Sequence, residues 1–378
     1  MIGPRMRVGL AFAAVLAVAT PVSAQYVVGS GVDYLGYSFD EGLGADASQL
    51  FMVPVAVRIP VSEKLTFDLF SAWAEGRVEQ ANTVFKLTGP VDTSIKAAYQ
   101  ATPWALVSIG ANIPTGNGKH DGEEAIVASV LSTDLLGYRE TTWGTGLAVT
   151  SSVASAVTAG GFGLGIAAAY SARGEFEPSE DVTFTYQPGN EARVRVGLDR
   201  NFGNSTLTAG ATFIDYAEDK RDGANLFQAG NRIRLDASFA FRAGAGVWTV
   251  YGANLMRENG DLRVDIVNDV NAVVGDTIIA TSKQNLIVGG FMGTVGLGGG
   301  FVFRPHVDYK YQSREEFDGN DAGSGWMLAA GGDIPLRLFG GYDFFPKARV
   351  YFGSIRDATG ADVSTLGLEF KGTMRFSF

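Results

Sequence analysis

Residues able to carry out covalent or metal chemistry are scarce in this chain. Of its 378 residues none is Cys and only two are His, His120 and His306. Thiolate nucleophiles, disulfides and thiolate metal sites are therefore excluded. A Ser-His-acid hydrolase needs a His beside a nucleophile and an orienting acid. His306 has Asp308 two positions along the same strand face, but no particular Ser is indicated, so no catalytic residue is assigned and the chain is read as a non-enzyme. Asp261, Asp265 and Asp269 share one polar stretch but lack the tight oxygen-ligand spacing of a calcium loop. Gly296-Leu297-Gly298-Gly299-Gly300 follows no strand–helix unit and opens no helix, so it is not a phosphate loop. No cofactor or metal is expected.

Charge, by contrast, is abundant and regularly placed. Arg58, Asp68, Lys96, Arg193, Arg195, Asp199, Arg232, Arg234, Asp236, Arg304, Asp308, Lys310, Arg337, Glu369 and Arg375, joined by Asp333, Arg349 and Lys371, sit at alternate positions in otherwise apolar runs. Val53, Val55, Val57 and Ile59 hold the other phase in one run, and Ile233, Leu235, Ala237, Phe239 and Phe241 hold it in another. Apolar residues two apart specify a strand; a helix would place them three and four apart. The runs extend over about ten residues or more, whereas soluble strands average about five or six and a tilted membrane strand needs ~9–11. In hydrocarbon every backbone N–H and C=O must be paired, so a sheet of such strands has to close on itself. The expected fold is all-β, a transmembrane antiparallel up-and-down β-barrel of about 14–16 strands with short periplasmic turns and long extracellular loops. Arg or Lys facing lipid near the midplane costs roughly 2–4 kcal/mol, which assigns the charged phase to the lumen. Two readings of those lumen-lining charges stay open: ion pairs that stiffen the wall, and an aqueous path biased toward anionic solutes.

The composition agrees. There are 50 Gly and 25 Phe, and a mean hydropathy of +0.10 is too polar for a bundle of membrane helices. Arg5 and Arg7, the apolar run Val8 to Thr20 and the small residues Val22-Ser23-Ala24 form a secretory signal peptide over 1–24, leaving a barrel over 25–378. Without Arg5 and Arg7 there are 28 basic and 40 acidic residues, a net charge of −12. That sign gives no reason to expect a nucleic-acid partner. The Gly- and Ala-rich stretches Gly161 to Ala169 and Gly289 to Gly300 either ease wall curvature or leave lumen space for an inserted segment.

The chain ends on Leu366, Leu368, Phe370, Met374, Phe376 and Phe378 in strict alternation with polar residues and Gly. This closing strand resembles that of Gram-negative outer-membrane barrels. The resemblance implies that Phe370, Met374, Phe376 and Phe378 form the signal read by the barrel-assembly machinery, and that outer-membrane lipid is the surroundings. Asn112-Ile113-Pro114-Thr115-Gly116, with Tyr186-Gln187-Pro188-Gly189 and Phe227-Gln228-Ala229-Gly230, resembles the long-chain fatty-acid and aromatic-hydrocarbon channel family, which implies hydrophobic solutes; that family's N-terminal plug has no counterpart here. Size and strand number are similar to those of general diffusion porins, although no dense acidic constriction loop is visible.

The longest loop, Thr115 to Thr141, contains Glu123 to Leu136, a stretch suited to a short helix. Asp121 is its candidate cap, with Glu124 three residues on. An apolar helix must pack somewhere: on the outer rim, or in the lumen, where it would gate the pore. Trp73, Trp104, Trp143, Trp248, Trp326, Tyr99, Tyr170 and Tyr311 fit interfacial girdles. The expected function is passive diffusion or uptake of small solutes, with hydrophobic ones among those the resemblance implies; the alternative is a non-conducting structural or adhesive barrel. Solute and oligomeric state are not encoded legibly.

Overall fold

Alternation with period two becomes a closed antiparallel sheet in the computed structural model, which describes residues 26–138, 142–267, 273–315, 321–338 and 342–377. The expected signal peptide, Asp269 and Phe378 lie outside the described residues. The wall begins with β1 (Val27–Phe39), β2 (Ala47–Pro60) and β3 (Leu65–Gln80). β4 (Thr83–Pro90) and β5 (Thr93–Thr102) together form the next wall strand, pairing with the upper and lower halves of β3 on either side of a break at Val91-Asp92. Then come β6 (Ala105–Ile113), helix α1 (Gly122–Leu131), β7 (Ala148–Ala159), β8 (Phe162–Arg173), the two-residue β9 (Tyr186–Gln187), β10 (Glu191–Phe202) and β11 (Ser205–Tyr216). The chain continues through β12 (Glu218–Arg221), β13 (Ala224–Gln228), β14 (Arg232–Ala243), β15 (Gly246–Arg257), β16 (Asp261–Val267), β17 (Val273–Ala280), β18 (Lys283–Gly298) and β19 (Phe301–Glu315). It finishes with β20 (Gly325–Asp333), the short β21 (Leu336–Arg337), β22 (Tyr342–Arg356) and β23 (Asp362–Ser377).

With β4 and β5 taken together and β21 a two-residue addition, the wall has sixteen strands. Closure is made by β1 against β23, paired from Val27↔Ser377 to Phe39↔Thr365. Seven short turns lie at the end that holds both chain termini, and eight connections, mostly longer, lie at the other. Gly160-Gly161, Gly203 and Gly244 adopt positive φ at the tips of three of the short turns, the conformation that closes a tight hairpin without Cβ strain.

Three polar stretches at the long-loop end are ordered. Arg77 to Thr83 is almost wholly strand, turning on Ala81-Asn82, both at positive φ. Glu218 to Ala224 and Glu258 to Ser282 supply strands to a second, five-stranded sheet in the order β17-β16-β13-β12-β9. β12 and β13 continue the β11–β14 ribbon and β16 and β17 continue β15–β18, so this sheet raises the wall above the barrel on that side.

The two faces of the wall differ as the alternation requires. Ile109, Ile166 and Leu366 are more than half exposed on the outer face, and large apolar side chains of the same phase surround the barrel. An apolar belt of that extent is compatible with lipid, not with water. The inner face is more apolar than expected in one sector. Leu35, Tyr37, Leu50, Met52, Ala72, Ala74, Val78, Tyr351 and Ile355 all point inward and are buried, because a loop packs on them.

Candidate functional site

Residues 114–138 and 142–147 fold into the lumen rather than over the rim. Helix α1 starts at Asp121, whose side chain accepts the Glu124 N–H at 2.8 Å. It is shorter than expected, ending at Leu131, and the chain continues in turns to Gly137. Val127 and Leu131 form its buried stripe. They sit on Gly76 of β3, where a Cβ would lie 2.5 Å from Leu131 Cδ1 and 2.9 Å from Val127 Cγ1. Leu135, Leu136, Tyr138 and Trp143 complete the contact with β1, β2, β20 and β22. Tyr37 donates to the Leu136 carbonyl at 2.7 Å, and the Ser48 and Tyr138 hydroxyls meet at 2.7 Å. Burial pushes the Tyr138 phenol up, so it stays neutral in that contact. Trp143, expected in an interfacial girdle, is instead a core residue of this loop. Trp73, Trp104, Trp326, Tyr99, Tyr170 and Tyr311 are exposed, and Trp248 stacks on Phe291 at 4.9 Å.

Both ends of the loop are held by one carboxylate at the β4–β5 break. Asp92 accepts from the N–H groups of Gly116 (3.2 Å), Gly144 (2.7 Å) and Thr145 (3.0 Å), from the Thr145 hydroxyl (3.1 Å) and from Asn112 Nδ2 (3.3 Å). Asp92 is buried, and these donors are what makes a buried charge tolerable. Sequence reasoning missed it; the only available signal was an acid directly following a strand interrupted at Pro90. From outside, the 174–190 loop also holds the insert: His120 N–H donates to the Pro178 carbonyl at 3.1 Å.

Register fixes where the sequence-predicted charges point. Arg58 is paired with Asp68, and Asp68 with Lys96. Arg195 pairs Thr212, and Thr212 pairs Arg234. Arg304 pairs Asp333, and Asp343 is partner to both Arg337 and Arg375. Arg193, Asp199, Arg232, Asp236, Asp308, Lys310 and Glu369 follow at even steps along these strands, so all fifteen share the inward phase. Phe370, Met374 and Phe376 have the opposite, outward phase on β23.

The inward charges fall into two sectors. Beneath the inserted loop they interlock. Arg349 donates to Asp308 at 2.6 Å, Lys347 and Tyr351 donate to Glu369 at 2.8 and 2.7 Å, and Lys371 pairs with Asp33. The side chains of Asp308, Arg349 and Glu369 are only 11–13% exposed. His306 lies among them, with Nε2 3.2 Å from the Tyr251 hydroxyl and 3.3 Å from Asp308. Its described neighbours are Tyr, Asp and Arg, so the nucleophile of a hydrolase triad does not stand beside it.

Across the lumen the wall is open. Arg193 and Arg234 side chains are 50% and 56% exposed, and below the loop, on β2 near the short-turn end, Arg58 is 64% exposed. The inward glycines of the open wall make room for charges lying flat on it: a Cβ on Gly163 would strike the Asp199 carboxylate, and one on Gly210 the Arg195 guanidinium. Arg195 in turn holds Asp236 through two 2.8 Å bonds. Near the long-loop end Arg232, Arg257, Gln284 and Arg314 follow one another on adjacent strands at one level. Asp134 of the inserted loop reaches this row, accepting from Gln284 Nε2 at 2.8 Å. The Nε atoms of Arg232 and Arg314 are buried with no hydrogen-bond partner among the described residues. The loop that enters the lumen is thus built on an apolar helix, and among the described residues Asp134 is the acid it brings to the arginine row.

No protein-family model matches the chain, and no curated protein matches it in sequence. Solved structures with a similar layout include OmpT, an outer membrane protein of Vibrio cholerae, at 11% identity and TM-score 0.42, covering 95% of this chain and 99% of that one. A mutant of Rh. blastica porin aligns at 13% identity and TM-score 0.38, covering 93% of this chain and 100% of that one. Likeness at this level assigns no role to any residue.

Proposed function

We propose that this chain is a channel of the bacterial outer membrane through which small solutes pass down their gradients. Its signal peptide directs it to the periplasm, the barrel-assembly machinery inserts it into outer-membrane lipid, and its described lumen charges line the path. The observation that carries the reading is the division of the lumen: one sector is filled by residues 114–138 and 142–147, and beside and beneath it Arg193, Arg234 and Arg58 remain open to water. The row Arg232, Arg257 and Arg314 gives this path a positive stretch near its long-loop end, which favours small anions over cations and over apolar solutes. No chemical step is required, and the chain acts as a pore rather than an enzyme.

A planar bilayer holding the purified protein tests this. Stepwise conductance with anion-selective reversal potentials is expected, and Arg232→Gln with Arg257→Gln should move the reversal potential toward cation selectivity. A correctly folded barrel that inserts without conducting would overturn the channel and leave the structural or adhesive reading, which the apolar filling of one sector favours.

A further inference from the structure

We propose that the cavity under the loop turn at Gly137 binds a small amphiphilic monoanion, a carboxylate carried on a compact apolar or aromatic body. The cavity holds about 410 Å³ and lies between the inserted loop and the inner faces of β1, β2, β19, β20, β22 and β23. That volume suits one small molecule. Leu35, Leu50, Met52 and Met327 give it apolar sides.

Charge matching sets the sign of the ligand. The three carboxylates on the cavity wall are each engaged: Asp33 by Lys371, Asp308 by Arg349 at 2.6 Å, and Glu369 by Lys347 at 2.8 Å. One further ammonium, Lys310, forms no ion pair among the described residues; Leu135 O accepts from it at a long 3.4 Å. A buried ammonium with so little compensation favours an anion. Lys310 is the cross-strand partner of Met327, so a carboxylate on its Nζ would lay an attached apolar group along Met327. The lid is shaped to the ammonium as well. Gly137 has φ +67°, and a Cβ there would collide with Lys310 Nζ. A strongly hydrated dianion gains nothing from the apolar sides, and an uncharged solute leaves Lys310 unmatched.

The site stands whether or not the barrel conducts, and its test needs no conductance. Phenylacetate and its neutral isostere phenylacetamide are titrated calorimetrically into the full-length protein in detergent. Saturable one-to-one binding of phenylacetate is expected, with the amide weaker by roughly tenfold or more, the scale of one charge-assisted hydrogen bond. Lys310→Met should lose the same factor, while Lys64→Gln, in the exposed turn between β2 and β3, should bind as the parent does. Folding of each variant is checked by heat-modifiable gel mobility, and the acid–amide comparison on the unaltered protein needs no variant. Equal affinity for acid and amide, undiminished binding by Lys310→Met, or no binding of phenylacetate up to millimolar concentration would each overturn the proposal.

Discussion

The Asp92 carboxylate accepts the Gly144 N–H at 2.7 Å, tying the break between β4 and β5 to the far end of the inserted loop. The same side chain accepts from Gly116 at the loop's near end, so one residue clamps both ends of a segment of about thirty residues. Asp92→Ala would strip partners from three backbone N–H groups, the Asn112 side-chain amide and one hydroxyl, at about 1–3 kcal/mol for each donor left buried and unpaired. The barrel, closed by its own ladder, should survive. The loop should swing out, raising single-channel conductance and exposing residues 114–147 to limited proteolysis. Conductance and cleavage pattern both equal to the parent's would show that Asp92 is not the clamp.

Gly76 and Leu131 form the second anchor, and it is steric rather than polar. The helix lies where a side chain at Gly76 would be, with Leu131 Cδ1 2.5 Å from the Cβ position. Gly76→Ala should therefore destabilise by about 1–3 kcal/mol, the usual cost of overpacking. Leu131→Ala alone should cost about 2–5 kcal/mol through a cavity. The double variant should lose less than the sum, because each change relieves the other. Denaturant midpoints of the four proteins measure that coupling, and strict additivity would mean that the helix does not dock on Gly76.

Acid should loosen the last long loop before it affects the barrel. The Asp357 carboxylate accepts from the Thr359 hydroxyl at 2.7 Å and from the N–H groups of Thr359 and Ala361 at 2.8 and 2.9 Å. These bonds, the Thr359 hydroxyl foremost, hold its pKa below the ordinary carboxylate value. A depressed folded-state pKa means that the contribution is fully present above the unfolded pKa of about 3.9 and is lost as pH falls through the lower folded value. Amide exchange at Thr359 and Ala361 should thus stay slow, relative to the intrinsic rate, at neutral and mildly acid pH and accelerate only below about pH 4. Asp357→Asn should show the faster exchange at every pH. Protection that changes between pH 5 and 7 would point to a different group.

Period two was enough to identify the barrel and to place the charges Arg58 to Arg375 on one face, because strand alternation and lipid exclusion are local consequences of residue type. What was not legible depends on contacts between residues far apart in sequence. Leu35, Leu50, Met52 and Tyr351 break the polar-inward rule only because the segment containing Leu131 and Leu135 comes to lie on them. Trp143 has the composition of a girdle residue and is drawn inward by the same insertion. Asp92 and Gly76 look unremarkable in isolation; their roles exist only when β3, the β4–β5 break and the loop meet. Asp134 was legible as an acid in a helical stretch, but not as the residue facing Arg232, Arg257 and Arg314, since those come from strands some hundred residues later.

The closing strand makes a prediction separable from all of these. Leu366, Leu368 and Phe370 alternate outward on β23 with Gly367, Glu369 and Lys371 inward, and β23 seals the barrel by pairing with both β22 and β1. Its pairing with β22 is a local hairpin, whereas its pairing with β1 joins the two ends of the chain and closes the sheet. In sequence, Phe378 continues the alternation of Phe370, Met374 and Phe376. The β1–β23 ladder runs from Val27↔Ser377 to Phe39↔Thr365, so a barrel lacking Phe378 should keep its closure and its stability. Recruitment to the assembly machinery should nevertheless fall, with the chain accumulating in the periplasm and outer-membrane levels dropping while the purified, refolded protein keeps its melting behaviour. Normal outer-membrane levels without Phe378 would remove it from the assembly signal, and a refolded variant that melts early would make its role structural instead.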